Sequence, residues 1–196
     1  MDDLPPDLLI KAYSQGVFPM ANDWDGYIYW YKPERRGVLP FKRLHISRSL
    51  ERLMRRNLYR VAVNEQFEAV MRACAAPAPG REETWINESM IRSYVALHHL
   101  GFAHSVEVYD GETLVGGLYG VTVGGLFAGE SMFSRVPSAS KIALVRLVER
   151  LRERGFTLLD MQYMTPHLKT MGGVEVSRAK YDLLLADALQ VEARFD

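Results

Sequence analysis

Three strand-prone runs separated by two turn dipeptides constrain this chain more than any other feature. His104 to Tyr109, Leu114 to Val123 and Leu126 to Met132 are separated at Asp110-Gly111 and Gly124-Gly125. Such dipeptides reach positive φ at little cost and close tight hairpins, so the stretch predicts an antiparallel meander. Ser138 or Ser140 then caps an amphipathic helix that turns Ile142, Leu144, Val145, Leu147, Val148 and Leu151 inward and stops at Gly155. Phe156 to Met161 is a further strand.

Upstream, Pro5-Pro6-Asp7 opens a short helix stopped at Gly16, Tyr27 to Tyr31 is an aromatic strand ended by Pro33, and Val38 to Phe41 reads as a short edge strand. Ser47 or Ser49 caps a helix to about Arg56, Tyr59 to Val63 is a strand, and Asn64 caps a helix through Cys74. Pro77 to Gly80 is a break, Asn87 or Glu88 starts a helix that ends at Gly101, and a last helix runs from about Arg178 to Leu189. A boundary near residues 42 to 46 divides the chain into a small N-terminal α/β domain, residues 1–44, and an α+β domain, residues 45–196, with one curved mixed sheet. The order strand, helix, helix, three antiparallel strands, helix, strand, helix is that of the GCN5-related N-acetyltransferase fold, an analogy that fixes no substrate.

With 48% hydrophobic residues, 15 Gly and 9 Pro in 196, the chain is neither disordered nor collagenous. Its one cysteine, Cys74, cannot form an internal disulfide, which points to a reducing compartment and so to the cytoplasm. No apolar run approaches the roughly 20 residues of a bilayer span, and Met1-Asp2-Asp3 is acidic where a signal peptide is basic, so no membrane partner is expected. The formal net charge of zero argues against non-specific coating of nucleic acid. Yet ten basic residues between Lys32 and Arg60 face only Glu34 and Glu51. Among them Arg48, Arg52, Arg55 and Arg56 suit either a phosphate-binding face or the solvated side of an amphipathic helix.

Glu130 interrupts a strand otherwise built of apolar and small residues, which suits either a solvated strand end or an acidic wall for a cationic ligand. In Leu158-Leu159-Asp160-Met161-Gln162, alternation puts Asp160 and Gln162 on one face and Leu159 with Met161 on the other, at the strand end where this class of fold opens its cleft. None of His45, His98, His99, His104 or His167 has a spacing that suggests a hydrolase triad, and one Cys with scattered His gives no metal-ligand spacing, so no metal is assigned. An acetyl-CoA enzyme carries a glycine-rich pyrophosphate loop where this chain has Arg135-Val136-Pro137-Ser138-Ala139-Ser140-Lys141, which makes CoA a poor donor. Of the aromatics near turns and element ends, Trp24 reads as packing. Trp30, Tyr31 and Trp85, beside a basic segment, suit stacking of an unpaired RNA base.

Together these residues resemble the bacterial leucyl/phenylalanyl-tRNA–protein transferases. The likeness rests on Ala12 to Met20, Leu44 to Ser49, Glu83 to Ile86, Leu100 to Glu107, Gly116 to Val121, Gly129 to Arg135, Ser140-Lys141 and Thr165 to Leu168, and so spans nearly the whole chain. The resemblance implies transfer of Leu or Phe, less readily Met, from aminoacyl-tRNA to the N-terminal Arg or Lys of an acceptor protein, marking it for degradation, with no metal and no CoA or other cofactor. It implies that Asp160 orients Gln162, whose carbonyl accepts a hydrogen bond from the attacking amine, and that Glu130 faces the basic terminus. Leu118, Phe127, Met132, Leu144, Leu147 and Leu159 match the aminoacyl pocket, and Trp85 with Trp30 or Tyr31 matches the adenosine-holding aromatics. The family usually shows Trp-Trp-Ser/Asp-Pro where this chain has Trp30-Tyr31-Lys32-Pro33, which places part of the stacking role on Tyr31. By location rather than by motif, Arg48, Arg52, Arg55 and Arg56 become the expected contact to the tRNA backbone, and a monomer is expected. The rival readings are a CoA-dependent N-acetyltransferase, opposed by the missing glycine loop, and a non-catalytic tRNA-binding module, opposed by the retained acid–amide pair.

Overall fold

The computed structural model describes residues 3–22, 25–77 and 84–196. Trp24, Glu83 and most of the break at Pro77 to Gly80 lie outside the described residues. The first part runs through helix α1 (Pro6–Ser14), strands β1 (Phe18–Ala21), β2 (Ile28–Tyr31) and β3 (Arg35–Val38), and helix α2 (Arg48–Arg55). Strand β4 (Arg60–Val63), helices α3 (Phe67–Ala75) and α4 (Glu88–His99), and strands β5 (Ala103–Asp110), β6 (Thr113–Val123) and β7 (Leu126–Ser134) follow. Helix α5 (Ala139–Glu153), strand β8 (Leu158–Gln162), helix α6 (Pro166–Thr170), strand β9 (Val174–Ser177) and helix α7 (Arg178–Leu189) complete the chain.

Hairpin chemistry sets the centre of this mixed α+β fold. Gly111 and Gly124, at φ of 58° and 57°, close the two expected hairpins, in a conformation that costs other residues ~1–2 kcal/mol. β1 and β2 form a two-stranded ribbon, and the other strands form one sheet in the order β4-β5-β6-β7-β8-β3-β9. All its pairings are antiparallel except β7 with β8. That parallel pair needs a crossover, which α5 supplies. Leu126, Phe127 and Ala128 pair with Leu158, Leu159 and Asp160; beyond these rungs the pairing ends, although both strands continue.

Strand alternation divides the core between two faces. On one, Phe67, Val70 and Met71 of α3 with Tyr94 and Leu97 of α4 join Tyr119 and Val121 of β6. On the other, Ile142, Leu144, Leu147 and Val148 of α5 join Leu118, Phe127 and Leu159. Burying a side chain of this kind contributes ~1.5–3 kcal/mol, so packing of its apolar face holds α5 more firmly than helix propensity does.

Several local expectations are corrected. The strand expected over Val38 to Phe41 is instead Arg35–Val38, and it lies between β8 and β9 inside the large sheet rather than at an edge. Its arginines hid it: alternation leaves Arg35 exposed and Arg36 buried. Asn64 does not cap α3; it turns the chain at φ 59°, its side chain accepts from the Ser105 amide, and Gln66 occupies the N-cap position. Neither Ser138 nor Ser140 caps α5 through its hydroxyl. Ser138 is left-handed at φ 71° with no side-chain cap bond, and the Ser140 amide donates to Ser134 Oγ at 3.1 Å. Ser47 and Asn87 do cap α2 and α4. Among the described residues no helix is long and apolar enough to cross a membrane.

Candidate active site

Glu130 and Gln162 meet beyond the last rung of the β7–β8 pairing, each at a backbone irregularity. In the β6–β7 ladder Tyr119 opposes Ser131 and Gly120 opposes Gly129, so Glu130 is the extra residue of a β-bulge, a device that re-aims a side chain. Gln162 ends β8 at φ 56°, a left-handed conformation worth ~1–2 kcal/mol of strain outside glycine. Gln162 Nε2 donates to Glu130 Oε1 at 2.7 Å. With its amide nitrogen so engaged, Gln162 presents its carbonyl oxygen as an acceptor.

Two tyrosines complete the surroundings of Glu130. Tyr13 Oη donates to Oε1 at 2.7 Å, Tyr94 Oη donates to Oε2 at 3.4 Å, and the two hydroxyls are hydrogen-bonded to each other. Burial pushes the Glu130 carboxyl up to about 7, against the opposing pull of the Tyr13 and Gln162 donors. Burial, and then the Glu130 charge, holds both phenols far above their ordinary range, so they stay protonated donors.

Asp160 stands behind this pair, fully buried, and is not part of the cavity wall. Arg36 clamps it in bidentate fashion, Nε to Oδ1 at 2.8 Å and Nη2 to Oδ2 at 2.6 Å. Tyr181 Oη donates to Oδ2 at 2.8 Å and the Gln162 amide to Oδ1 at 2.8 Å. Four donors fill the carboxylate, so its influence on the site runs through the Gln162 backbone. Arg36, 2% exposed, also donates to the Gly16 carbonyl at 3.0 Å and lies 4.5 and 4.6 Å from the ring centroids of Phe18 and Tyr181. Desolvation pulls its guanidinium pKa down, but the Asp160 carboxylate more than offsets this and leaves it above the usual value.

Glu130 and Gln162 border a cavity of about 290 Å³. Leu118, Met132, Leu144 and Leu147 line it, joined by Met161 and Leu168, while Glu130, Gln162, Trp85, Tyr163 and His167 supply polar and aromatic wall. Phe127 and Leu159 are placed otherwise than expected: at 0% and 1% exposure they lie within the core and outside the wall, where α5 covers the sheet. Burial lowers the His167 pKa, with Lys141 adding to the effect. Trp30 and Tyr31 are also outside the wall. Trp30 is exposed on the ribbon, and Tyr31 stacks on Phe18 at 6.1 Å, which meets the wall residue Tyr163 edge-on at 5.7 Å. Arg48, Arg52 and Arg55 lie exposed on α2 and Arg56 at its C-cap; Arg55 pairs with Glu51 at 2.7 Å, and the other three recur every four residues along one side.

Sequence reasoning missed Arg36, Tyr13, Tyr94 and Tyr181. An arginine in a basic run reads as solvated, and buried tyrosines read as core.

The family model described as leucyl/phenylalanyl-tRNA protein transferase matches residues 38–186, and that for the N-terminal domain of the same transferase matches residues 2–34. The leucyl/phenylalanyl-tRNA–protein transferase of Rubrobacter xylanophilus is 53% identical over 193 residues, covering 98% of both chains. That of Cereibacter sphaeroides is 54% identical over 193 residues, 98% of this chain and 88% of the other. Among solved structures FemX shares the fold at a TM-score of 0.56 and 12% identity, over 87% of this chain and 66% of FemX. The chain belongs to the leucyl/phenylalanyl-tRNA protein transferase family.

Proposed function

We propose that this chain transfers Leu or Phe, and less readily Met, from aminoacyl-tRNA to the N-terminal Arg or Lys of acceptor proteins, and so marks them for degradation. The observation that carries this reading is one cavity that is apolar along Leu118, Met132, Leu144 and Leu147 and bordered by the hydrogen-bonded pair Glu130 and Gln162. It takes the donor side chain by desolvation and dispersion, while the carboxylate faces the cationic terminus. Trp85 in the wall, with Trp30 or Tyr31 on the ribbon, holds the terminal adenosine, and the α2 arginines contact the tRNA backbone. The fold is of the acetyltransferase (GNAT) type, with residues 1–44 as the small N-terminal domain and residues 45–196 as the transfer domain, and both contribute to the cavity: Met20 lines it from the first and Trp85 from the second. The protein acts as a cytoplasmic monomer without metal or other cofactor.

An aminoacyl ester is already activated, so the acceptor amine needs positioning, loss of a proton and an uncrowded path. The amine nitrogen bonds to the ester carbon, the bond to the ribose oxygen breaks, and the ribose hydroxyl leaves with a proton. The α-ammonium has a pKa of ~8. Glu130, at about 7, lies close enough to hold the cation when ionised and to take its proton as the attack begins. The Gln162 carbonyl accepts a hydrogen bond from the same nitrogen and aligns its lone pair. Asp160 sets Gln162 by holding its backbone amide.

Mixing the protein with radiolabelled Leu-tRNA and a peptide beginning with Arg gives a labelled peptide on this reading. No label at any enzyme concentration refutes it.

A further inference from the structure

Arg36 lies outside both matched segments, 2–34 and 38–186, and outside the cavity wall, yet it is the most elaborately held charge among the described residues. Two aromatic rings sandwich its guanidinium, a backbone carbonyl takes one proton, and its fork fills both oxygens of Asp160. A buried ion pair of this kind is weak evidence for stability, because desolvation offsets most of the attraction. Its geometry has a second consequence. Asp160 Oδ1 is shared between Arg36 Nε and the Gln162 amide, both at 2.8 Å, and Gln162 is the strained residue at φ 56°. β3 also pairs Gly37 with Gln162, so one strand delivers both the backbone partner of Gln162 and the cation that fixes Asp160.

We infer that Arg36 is a positioning residue for the transfer step. It fixes Asp160 from the side away from the cavity, Asp160 holds the Gln162 amide, and the left-handed turn there aims the Gln162 side chain at Glu130 and the attacking amine. Lysine cannot replace it: one ammonium does not reproduce the planar fork that fixes both carboxylate oxygens. Tyr181 serves the same end with a single hydrogen bond to Oδ2 while its ring stacks on the guanidinium.

The inference rests on the transfer reading above, and the test separates the two. Leu transfer to an Arg-peptide is measured with the full chain, with Arg36→Lys, with Gln162→Ala and with both changes together. Arg36→Lys lowers kcat by about 10- to 100-fold, the scale of a misplacement near 1 Å, with KM for tRNA and peptide within about twofold of the unaltered chain. In the Gln162→Ala background the same change costs nothing further, because the group it positions is gone. A purely structural role for Arg36 predicts losses that multiply in the double variant. That result, or an unchanged kcat in Arg36→Lys, overturns the inference. Where Arg36→Lys fails to fold, Tyr181→Phe replaces it in the same cycle, with a kcat loss of about three- to tenfold that vanishes beside Gln162→Ala. Multiplying losses, or none, overturn it equally. Absence of transfer by the unaltered chain instead refutes the proposed function.

Discussion

Glu130→Gln isolates the free energy of holding a carboxylate in a β-bulge beside the cavity. The substitution keeps the shape of the side chain and an oxygen to accept from Tyr13 and Gln162, but removes the charge. Burial raises the folded-state pKa from 4.5 to about 7. Below 4.5 both folded and unfolded states are protonated and Glu130 adds no pH dependence. Between the two values the unfolded chain loses its proton while the folded one keeps it, so stability falls by ~1.4 kcal/mol per pH unit. Above about 7 the fall is complete, at about 3 kcal/mol. The neutral glutamine escapes it. Urea unfolding of both proteins from pH 4.5 to 8 therefore shows a stability difference that shifts in favour of Glu130→Gln by about 3 kcal/mol as pH rises. In thermal melts of a domain this size the same shift is roughly 6–12 °C. A difference that stays constant across that range refutes the claim that burial at the bulge governs this carboxyl.

Three further outcomes are expected. Gly172→Ala destabilises the fold by ~3 kcal/mol or more in urea, since its Cβ would lie 1.9 Å from the Arg43 carbonyl oxygen at φ 99°, where the chain docks through the His45 amide on Met171. Ser138→Gly, at φ 71° with no cap bond to lose, stabilises by ~0.5–1 kcal/mol on the same assay. Replacing Arg48, Arg52 and Arg56 together by Ser reduces the slope of log tRNA affinity against log salt by about 2 to 3 and leaves KM for an Arg-peptide unchanged.

What the sequence disclosed follows from how local each signal is. The meander was legible because Asp110-Gly111 and Gly124-Gly125 specify their hairpins within two residues, and α7 was legible from Arg178 to Leu189. Glu130, Asp160 and Gln162 stood out because acids and amides are rare in apolar strands, and strand alternation put the last two on one face. The bulge at Glu130 was not legible, because a two-against-one count exists only relative to the partner strand. The Arg36–Asp160 pair spans 124 positions and no local pattern announces it. Four-residue β9 and five-residue α6 are too short for periodicity to register, although Thr165-Pro166 was a usable start signal for the helix. Phe127 and Leu159 were misplaced for a related reason: an apolar residue on a strand looks the same whether it faces a cavity or the helix packed beside it.

The most direct test of one cavity serving two substrates is the effect of Glu130→Gln on each substrate separately. Loss of a charge-assisted hydrogen bond, ~1.5–3 kcal/mol, raises KM for an Arg-peptide by about 10- to 100-fold above pH 7 while KM for Leu-tRNA moves less than about twofold. Equal rises for peptide and tRNA contradict the account, because they place Glu130 away from the acceptor terminus.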